Sequence, residues 1–499
     1  LTIALVTALI LALGSNLQVA AADETSAAYP VSLSVGGSQS CVVLSDTSAR
    51  CWGNNQYGQL GNGNWTNSFN PTVVTGWTGS KLFNIRNIST RNWQTCAVLL
   101  DSSASCWGMT PNLTGSLTQV EKVSMGDAFN CYLTTSKTVR CWGDNTYGQI
   151  ASASLASSSN PLQVAGLSEV NNIVSGYQHS CALLSDKTVK CWGSNSSGQL
   201  GVSTWSTVVR DSSGWIVGNY SSSPVTVNNL SDVVALSAGD YFTCALLGDK
   251  TVKCWGDNNY AQLGDGTVEG RSSAGLVSNL SDVTSISSYR KNTCAVISDQ
   301  TLRCWGPNEQ GGLGNGTWWN FPRTPVTVSS IDNAISVGVG SQHSCALLSN
   351  KSVKCWGYND VYQVGIPSEV RSLYPVVAAG FTPVVSYTSA PEISGSAVVG
   401  SVLSASAGVW DSGVSFSYQW LRDGQAISGA TSASYVLQPG DLGAQVSVRV
   451  SGSKTGFQSV DQVSSAVTVG SGSLVLVGSP SISGSAVVGS VLSASAGVW

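Results

Sequence analysis

The chain has 499 residues, too many for one compact core and enough for two to four domains. Only 10% are charged and the net charge is −4, which excludes a basic field for nucleic acid and a polybasic patch for anionic lipid. The abundance of Gly, Ser, Val and Trp suits strands and tight turns better than helices.

Leu1 to Leu13 is an apolar run, followed by Gly14-Ser15-Asn16 and the small residues Val19-Ala20-Ala21-Ala22. Thirteen residues are short for a bilayer span, and the pattern is that of an export signal over 1–22, cut after Ala21 or Ala22. The protein is expected to be secreted or displayed at the cell surface, with no other direct membrane span.

All fourteen cysteines then fall into one unit, a Cys followed ten residues later by Cys-Trp-Gly. The pairs are Cys41 with Cys51, Cys96 with Cys106, Cys131 with Cys141, Cys181 with Cys191, Cys244 with Cys254, Cys294 with Cys304, and Cys345 with Cys355. Steps of 55, 35, 50, 63, 50 and 51 residues between the triplets point to a propeller or a solenoid. In Cys181-Ala-Leu-Leu-Ser-Asp-Lys-Thr-Val-Lys-Cys191 two strands flank a polar turn, and both cysteines are equidistant from Asp186. Directly opposed hairpin residues are close enough for a disulfide, worth about 2–3 kcal/mol each in the chain-entropy account. Zinc is excluded by spacing, since metal knuckles bring two ligands within two to four residues. Paired cysteines and an export signal support each other, because disulfides persist outside the cytosol.

Other positions recur in step. Gly36, Gly126, Gly176, Gly239 and Gly340 stand five before the first Cys, with Arg91 and Tyr289 as the two exceptions. Glycine there suggests a positive φ or a close backbone approach. After Cys-Trp-Gly come an Asn and then Gly58-Gln59-Leu60-Gly61, Gly148-Gln149-Ile150, Gly198-Gln199-Leu200-Gly201, Gln262-Leu263-Gly264 or Leu313-Gly314. The second unit has lost this part and reads Met109-Thr-Pro-Asn-Leu-Thr.

Seven units of Cys-Trp-Gly-x-Asn-x-x-Gly-Gln-Leu-Gly resemble the regulator of chromosome condensation repeat family, over Val31 to Val377. The resemblance implies an all-β, seven-bladed β-propeller, here with one disulfide per blade, over 28–380. It also offers a precedent for a binding face, in a secreted bacterial member that inhibits β-lactamase. Blade 1 begins at Val31-Ser-Leu-Ser-Val without the Pro-Val strand that precedes later units, such as Pro161-Leu-Gln-Val; that strand follows blade 7 as Tyr374-Pro375-Val376-Val377. Pairing of Val376 and its neighbours into blade 1 is therefore expected to close the ring.

Past a linker over 381–390 the character changes. Ile393 to Trp410 recurs unchanged as Ile482 to Trp499. Alternating strands around Trp420, with no Cys, resemble the immunoglobulin-like β-sandwich modules of bacterial surface proteins, over 391–470. A second linker and a second copy cut in its first strands occupy 471–499, so the chain is expected to be a piece of a longer protein.

Catalytic chemistry is hard to place. The two histidines, His179 and His343, share one repeat position, and no Ser-His-Asp set, HExxH or P-loop is present. Turn aspartates Asp186, Asp249 and Asp299 recur by register, and Gly264-Asp265-Gly266 belongs to the repeat rather than to a calcium loop. No cofactor or metal is expected. Seven tryptophans, one per blade, are accounted for by packing, but Trp65, Phe69, Trp205, Trp215, Tyr220, Trp318, Trp319 and Phe321 fall in the variable stretches after the Gly-Gln-Leu-Gly segments. They form a candidate aromatic rim for an extracellular protein or glycan. The leading expectation is an exported, non-enzymatic binding propeller on an immunoglobulin-like stalk, used for adhesion or inhibitor-like protein binding. One alternative is a guanine-nucleotide exchange factor-like regulator, which the resemblance implies and the cysteines disfavour. Another is the non-catalytic part of a larger surface hydrolase.

Overall fold

The computed structural model describes residues 28–75, 80–110, 113, 116–203, 208–210, 216–367, 370–472 and 477–498. The expected export signal lies outside them, as do Trp205 and Trp215 of the expected rim. Regular structure among the described residues is strand throughout, apart from a single 3-10 turn at Pro439–Asp441. The chain divides into two compact units, with the main boundary between Ala379 and Gly380 and the short segment Leu348–Val353 grouped with the second.

The first unit is seven antiparallel sheets. Blade 1 consists of Pro30–Val35, Gln39–Leu44, Ala49–Gly53 and Ser68–Val73, hydrogen-bonded in that order. Blades 3, 5, 6 and 7 repeat this four-stranded meander. Among the described residues blade 2 has three strands, Ile85–Arg91, Gln94–Leu99 and Ala104–Gly108, with a single bridge from Ala104 to Leu117 beyond them; this is the unit that lost its Gly-Gln-Leu-Gly segment. Blade 4 has five, because Val208–Arg210 adds to Ile216–Thr226.

In every four-stranded blade the Pro-Val strand follows the Cys-Trp-Gly strand of its own repeat. Val376 pairs with Cys355 inside blade 7, not with blade 1. The expected closure by strand exchange is therefore wrong. The first strand of each sheet lies beside that of the next, and blade 7's lies against blade 1's. Side chains and backbone both make the closure: Trp52 Nε1 of blade 1 donates to the Gln363 carbonyl of blade 7 (3.1 Å), Ser40 Oγ sits 3.0 Å from His343 Nε2, and Ser341 N–H donates to the Gly37 carbonyl (3.1 Å). The open edges of the innermost strands are tied from blade to blade by serine. Ser34, Ser237 and Ser287 accept from the backbone N–H of Thr90 (3.0 Å), Ser288 (2.6 Å) and Val339 (3.2 Å).

Each blade carries one disulfide across its central hairpin, and all seven join the cysteines that the sequence spacing paired. In blades 1 to 4 the bridges are Cys41 to Cys51, Cys96 to Cys106, Cys131 to Cys141, and Cys181 to Cys191. In blades 5 to 7 they are Cys244 to Cys254, Cys294 to Cys304, and Cys345 to Cys355. The partners have Cα atoms 4.0–4.1 Å apart, as their direct opposition in the hairpin register requires. The hairpin tip is set by an Asx turn. Asp186 Oδ1 accepts from Thr188 N–H (3.0 Å) and Oγ1 (2.6 Å) while Lys187 takes φ +65°. The same contacts recur at Asp46, Asp101, Asp249, Asp299 and Asn350.

The core lies between blades rather than within them. Trp107 of blade 2 packs among Cys41, Val43, Cys51 and Leu60 of blade 1, and Trp192 of blade 4 among Phe129, Leu133, Cys141 and Ile150 of blade 3. A blade so built cannot bury its own apolar faces alone, which is why the repeat must continue around a ring.

The second unit is a two-sheet β-sandwich. Glu392–Gly395, Val402–Ser406 and Ser434–Val436 face Ser415–Arg422, Gln445–Ser453 and Val460–Val463. Their shared core holds Leu403, Trp420, Tyr435, Val446 and Val448. Trp420 stacks on Tyr435 (5.6 Å), and buried Asp441 accepts from Tyr435 Oη (2.8 Å), Arg422 Nε (2.6 Å) and Gln438 N–H (2.6 Å). The segment 381–390, read from the sequence as a linker, is bonded into this unit through Val385 N–H to the Gln458 carbonyl and Gln458 N–H to the Pro383 carbonyl. In the second copy, Ser481–Ser483 pairs with Ser493–Ser495 in the register of the first, Ile482 opposite Ala494 as Ile393 is opposite Ala405.

Candidate recognition face

Antiparallel order puts the turns between strands one and two, and the long loops between strands three and four, at the same end of the ring; the disulfide hairpins lie at the other. A buried Asn organises the start of the long loop in six of the blades. Asn55 Oδ1 accepts from Leu60 N–H (2.9 Å), and Asn145, Asn195, Asn258, Asn308 and Asn359 do the same for Ile150, Leu200, Leu263, Leu313 and Val364. The following Gln turns its carbonyl to the next blade. Trp107, Trp192, Trp255 and Trp305 donate Nε1–H to the carbonyls of Gln59 (3.0 Å), Gln149 (2.9 Å), Gln199 (3.0 Å) and Gln262 (3.0 Å). The last Gly of the segment lies under that indole: at Gly61, φ +63°, a Cβ would come within 2.5 Å of Trp107 Nε1. Trp142 follows the defective blade 2, and its buried Nε1–H has no acceptor among the described residues.

Trp65, Trp318, Trp319 and Phe321 of the expected rim are exposed on these loops, and Phe69 and Tyr220 are half-buried. Trp65 is 64% and Trp319 67% exposed. Trp65 covers Gly58, where a Cβ would meet its ring at 3.4 Å. The equivalent Gly148, Gly198 and Gly311 are covered instead by Ser222, Ser272 and Leu373 of the next blade's fourth strand. Among the described residues blade 2 offers no such strand, and Trp65 lies over Gly58 with one face and presents the other outward.

The rim also holds residues that the sequence reading did not single out. Arg371 of blade 7 lies 4.4 Å from the Trp318 ring, Tyr362 meets Phe69 at 5.9 Å, and Tyr57 meets Trp93 at 5.4 Å. Tyr57 had a signal in the recurrence of Tyr147 and Tyr260; the others are single-copy residues brought in by neighbouring blades.

At the axis, on the same end, sit Arg91 and Tyr289, the two exceptions to the recurring glycine. Where the glycine is kept it serves close approach, not positive φ: a Cβ on Gly239 would meet Phe242 Cε1 at 1.9 Å and the Arg290 carbonyl at 2.6 Å. Arg91 crosses the ring to Asp240 (3.3 Å) and the Ser175 carbonyl (2.9 Å), with its guanidinium 5.0 Å from the Tyr289 ring. Tyr289 Oη accepts from Asn92 N–H (3.0 Å) and donates to Asn92 Oδ1, and Asn92 Nδ2 donates to Asp127 Oδ1 (2.7 Å). Burial raises the Asp240 carboxyl above its ordinary range in spite of Arg91. Burial, with the Asp127 carboxylate nearby, pushes the Tyr177 phenol up to about 12.

The titratable groups have structural partners. His179 and His343 are buried, bond Thr243 (2.9 Å) and Ser40 (3.0 Å) through Nε2, and are pushed down to about 3 by burial. Asp265 pairs with Arg271 and caps Thr267. Among the described residues no group of three His, Cys, Asp or Glu side chains could hold a metal ion.

Profiles of the Regulator of chromosome condensation (RCC1) repeat match residues 51–98, 138–183, 188–246 and 302–347, and, in a second form, 120–149, 170–199, 233–262 and 334–363. Similar solved structures include Prp20p from Saccharomyces cerevisiae, described with its binding to Gsp1p and histones, at 19% identity, TM-score 0.53, and 64% of this chain against 82% of that one. Yeast RCC1 (Prp20) bound to Kap60 gives 19%, 0.52, and 63% against 79%. Human WBSCR16 gives 17%, 0.47, and 72% against 84%. Seven stapled sheets in a ring, the repeat profiles and the shared fold together make this chain an RCC1-like repeat protein.

Proposed function

We propose that the chain is an exported, non-enzymatic recognition protein, a propeller carried on an immunoglobulin-like module that captures an extracellular protein or glycan. The observation that carries this reading is the exposure of Trp65, Trp318, Trp319 and Phe321 at one end of the ring on loops pinned from beneath. Fixed aromatic anchors bind with little ordering entropy and dominate recognition surfaces. Seven disulfides support an oxidising location. Both histidines are buried and hydrogen-bonded to a neighbouring blade, which favours a structural role for them over catalysis.

A second reading, exchange activity on a small GTPase, draws on the likeness to Prp20p, a protein described as binding Gsp1p. It requires a partner in a reducing compartment, where seven disulfides do not persist. The test is the double change Trp318→Ala with Trp319→Ala. Loss of surface or partner capture at an unchanged melting temperature supports recognition by this face; a large fall in stability assigns the tryptophans to local packing.

A further inference from the structure

Two of the rim loops are copies of one design. Gly61-Asn62-Gly63-Asn64-Trp65-Thr66-Asn67 and Gly314-Asn315-Gly316-Thr317-Trp318-Trp319-Asn320 share the pattern Gly-Asn-Gly-x-Trp-x-Asn. Each folds over the buried Asn of its blade. Asn55 Nδ2 donates to Asn62 Oδ1 (3.1 Å) and the Asn64 carbonyl (2.9 Å), while Asn308 Nδ2 donates to Asn315 Oδ1 (3.3 Å) and the Thr317 carbonyl (2.9 Å). Asn67 and Asn320 close the two loops through Oδ1, onto Asn55 N–H (2.8 Å) and Asn308 Nδ2 (2.8 Å).

The scaffold does not require the tryptophan. Blade 5 builds the same start, Gly264-Asp265-Gly266-Thr267, with Asn258 Nδ2 on Asp265 (3.3 Å) and Thr267 (3.0 Å), and carries Val268 in the tryptophan's place. Trp65 and Trp318 are thus additions to a loop that folds without them. Each ring is backed from within the ring of blades, Trp65 by Gly58 and Trp318 by Arg371, and each is more than half exposed. Trp319 is held at φ +58°, a conformation that a bulky residue adopts only under outside constraint. Blades 6 and 1 flank blade 7, whose Tyr362 meets Phe69, so the aromatic arc runs on from one loop to the other. Neither 61–70 nor 314–322 contains an ionisable residue.

Taking the recognition reading above as its basis, we propose that this arc binds a neutral, β-linked polysaccharide. A duplicated platform suits a ligand made of duplicated units. Uncharged loops bearing open indole rings suit sugar rings with equatorial substituents, which offer flat C–H faces for stacking and hydroxyls for the surrounding Asn and Thr. Charge around the arc is sparse and of mixed sign: Arg371 already lies against Trp318, and exposed Arg323 and Asp360 stand beyond Phe321 and before Tyr362, which gives an acidic polymer or a charged protein surface little to pair with.

The test uses the full chain on microcrystalline cellulose and on chitin beads, at low and high salt, with cellohexaose and chitohexaose titrated against tryptophan fluorescence. Retention on at least one polysaccharide, little changed by salt, is expected. Trp65→Ala and Trp318→Ala should each weaken it by about tenfold and the pair should abolish it, with the melting temperature unchanged. Absence of retention on both polysaccharides with no fluorescence response to either hexasaccharide, or retention undiminished in the folded double variant, overturns the proposal. If neither polysaccharide is retained yet a protein ligand is lost with the same tryptophans, the glycan assignment falls and the recognition reading stands. If the double variant keeps every ligand of the parent, both fall.

Discussion

Arg91 of blade 2 and Asp240 of blade 5, 149 residues apart in sequence, meet at 3.3 Å across the axis of the ring. Both are largely buried, and the two blades are not neighbours, so the pair registers opposite sides of the propeller directly. Arg91→Ala leaves the Asp240 carboxylate without its cation and should cost about 3 kcal/mol at neutral pH. Arg91→Gly, which restores the residue of five other blades, should do no better, because Arg290 and Lys291 act on Asp240 without making the ion-pair contact that Arg91 makes. Asp240 is already raised by burial, so its contribution to stability is present at low pH and is lost as pH rises through its folded value. Removing Arg91 should extend that loss to higher pH. Urea unfolding across a pH series, with Asp240→Asn added to Arg91→Ala, reads both effects; the second change should recover part of the stability.

The histidines act in the opposite sense. Burial, aided for His179 by the nearby Arg91 charge, holds them at about 3 in the folded protein, while the unfolded chain takes up protons near the ordinary value of 6.5. Their stabilisation is complete above that value and is lost as pH falls towards 3. His343→Gln, which installs the residue found at this position in blades 1 and 2 as Gln39 and Gln94, should flatten the acid side of the stability profile. Thermal melts from neutral pH down into the acid range check it.

The indole clamp predicts unequal costs for one substitution. Trp192→Phe removes the bond to the Gln149 carbonyl and leaves that buried acceptor unpaired, a loss of about 1–2 kcal/mol beyond the change in packing. Trp142→Phe removes an N–H that has no acceptor among the described residues and should lack this loss. Chemical denaturation of the two variants compares them directly.

Thirteen of the fourteen cysteines are fully buried, and Cys106, on the strand Ala104–Gly108 of blade 2, is partly exposed. The bridge from Cys96 to Cys106 should therefore be reduced first under mild reductant, seen as selective alkylation of that pair by mass spectrometry.

The seven blades and their staples were legible because each depends on local register, a Cys ten residues from its partner about a turn of fixed geometry. Cys51, Cys141, Cys254 and Cys304 each sit opposite the cysteine that the count assigns to them. Ring closure was not legible. The Pro-Val strand looks the same in sequence whether it ends one repeat or opens the next, and only the pairing of Val376 with Cys355 decides. The axial pair was visible only as a flaw, Arg91 and Tyr289 standing where glycine recurs. What the flaw does depends on Asp240 and Asn92, which reach the axis from other blades. The aromatic rim was legible by composition, whereas Arg371 and Tyr362 join it through contacts between blades that no spacing along the chain encodes.

The most direct measurement is a tryptic map of the native, unreduced protein. Lys or Arg lies between the two cysteines in every pair except Cys96 with Cys106, but none lies between Cys141 and Cys181, so four cross-linked peptide pairs, one three-peptide assembly joined through peptide 141–187 and one internally bridged peptide are expected, with no free thiol. A further cut at Glu169 with Glu-C splits that assembly into the separate bridges of blades 3 and 4. Links between different blades, or reactive thiols in the native protein, would contradict a ring of separately stapled blades and, with it, the exported recognition protein built on that ring.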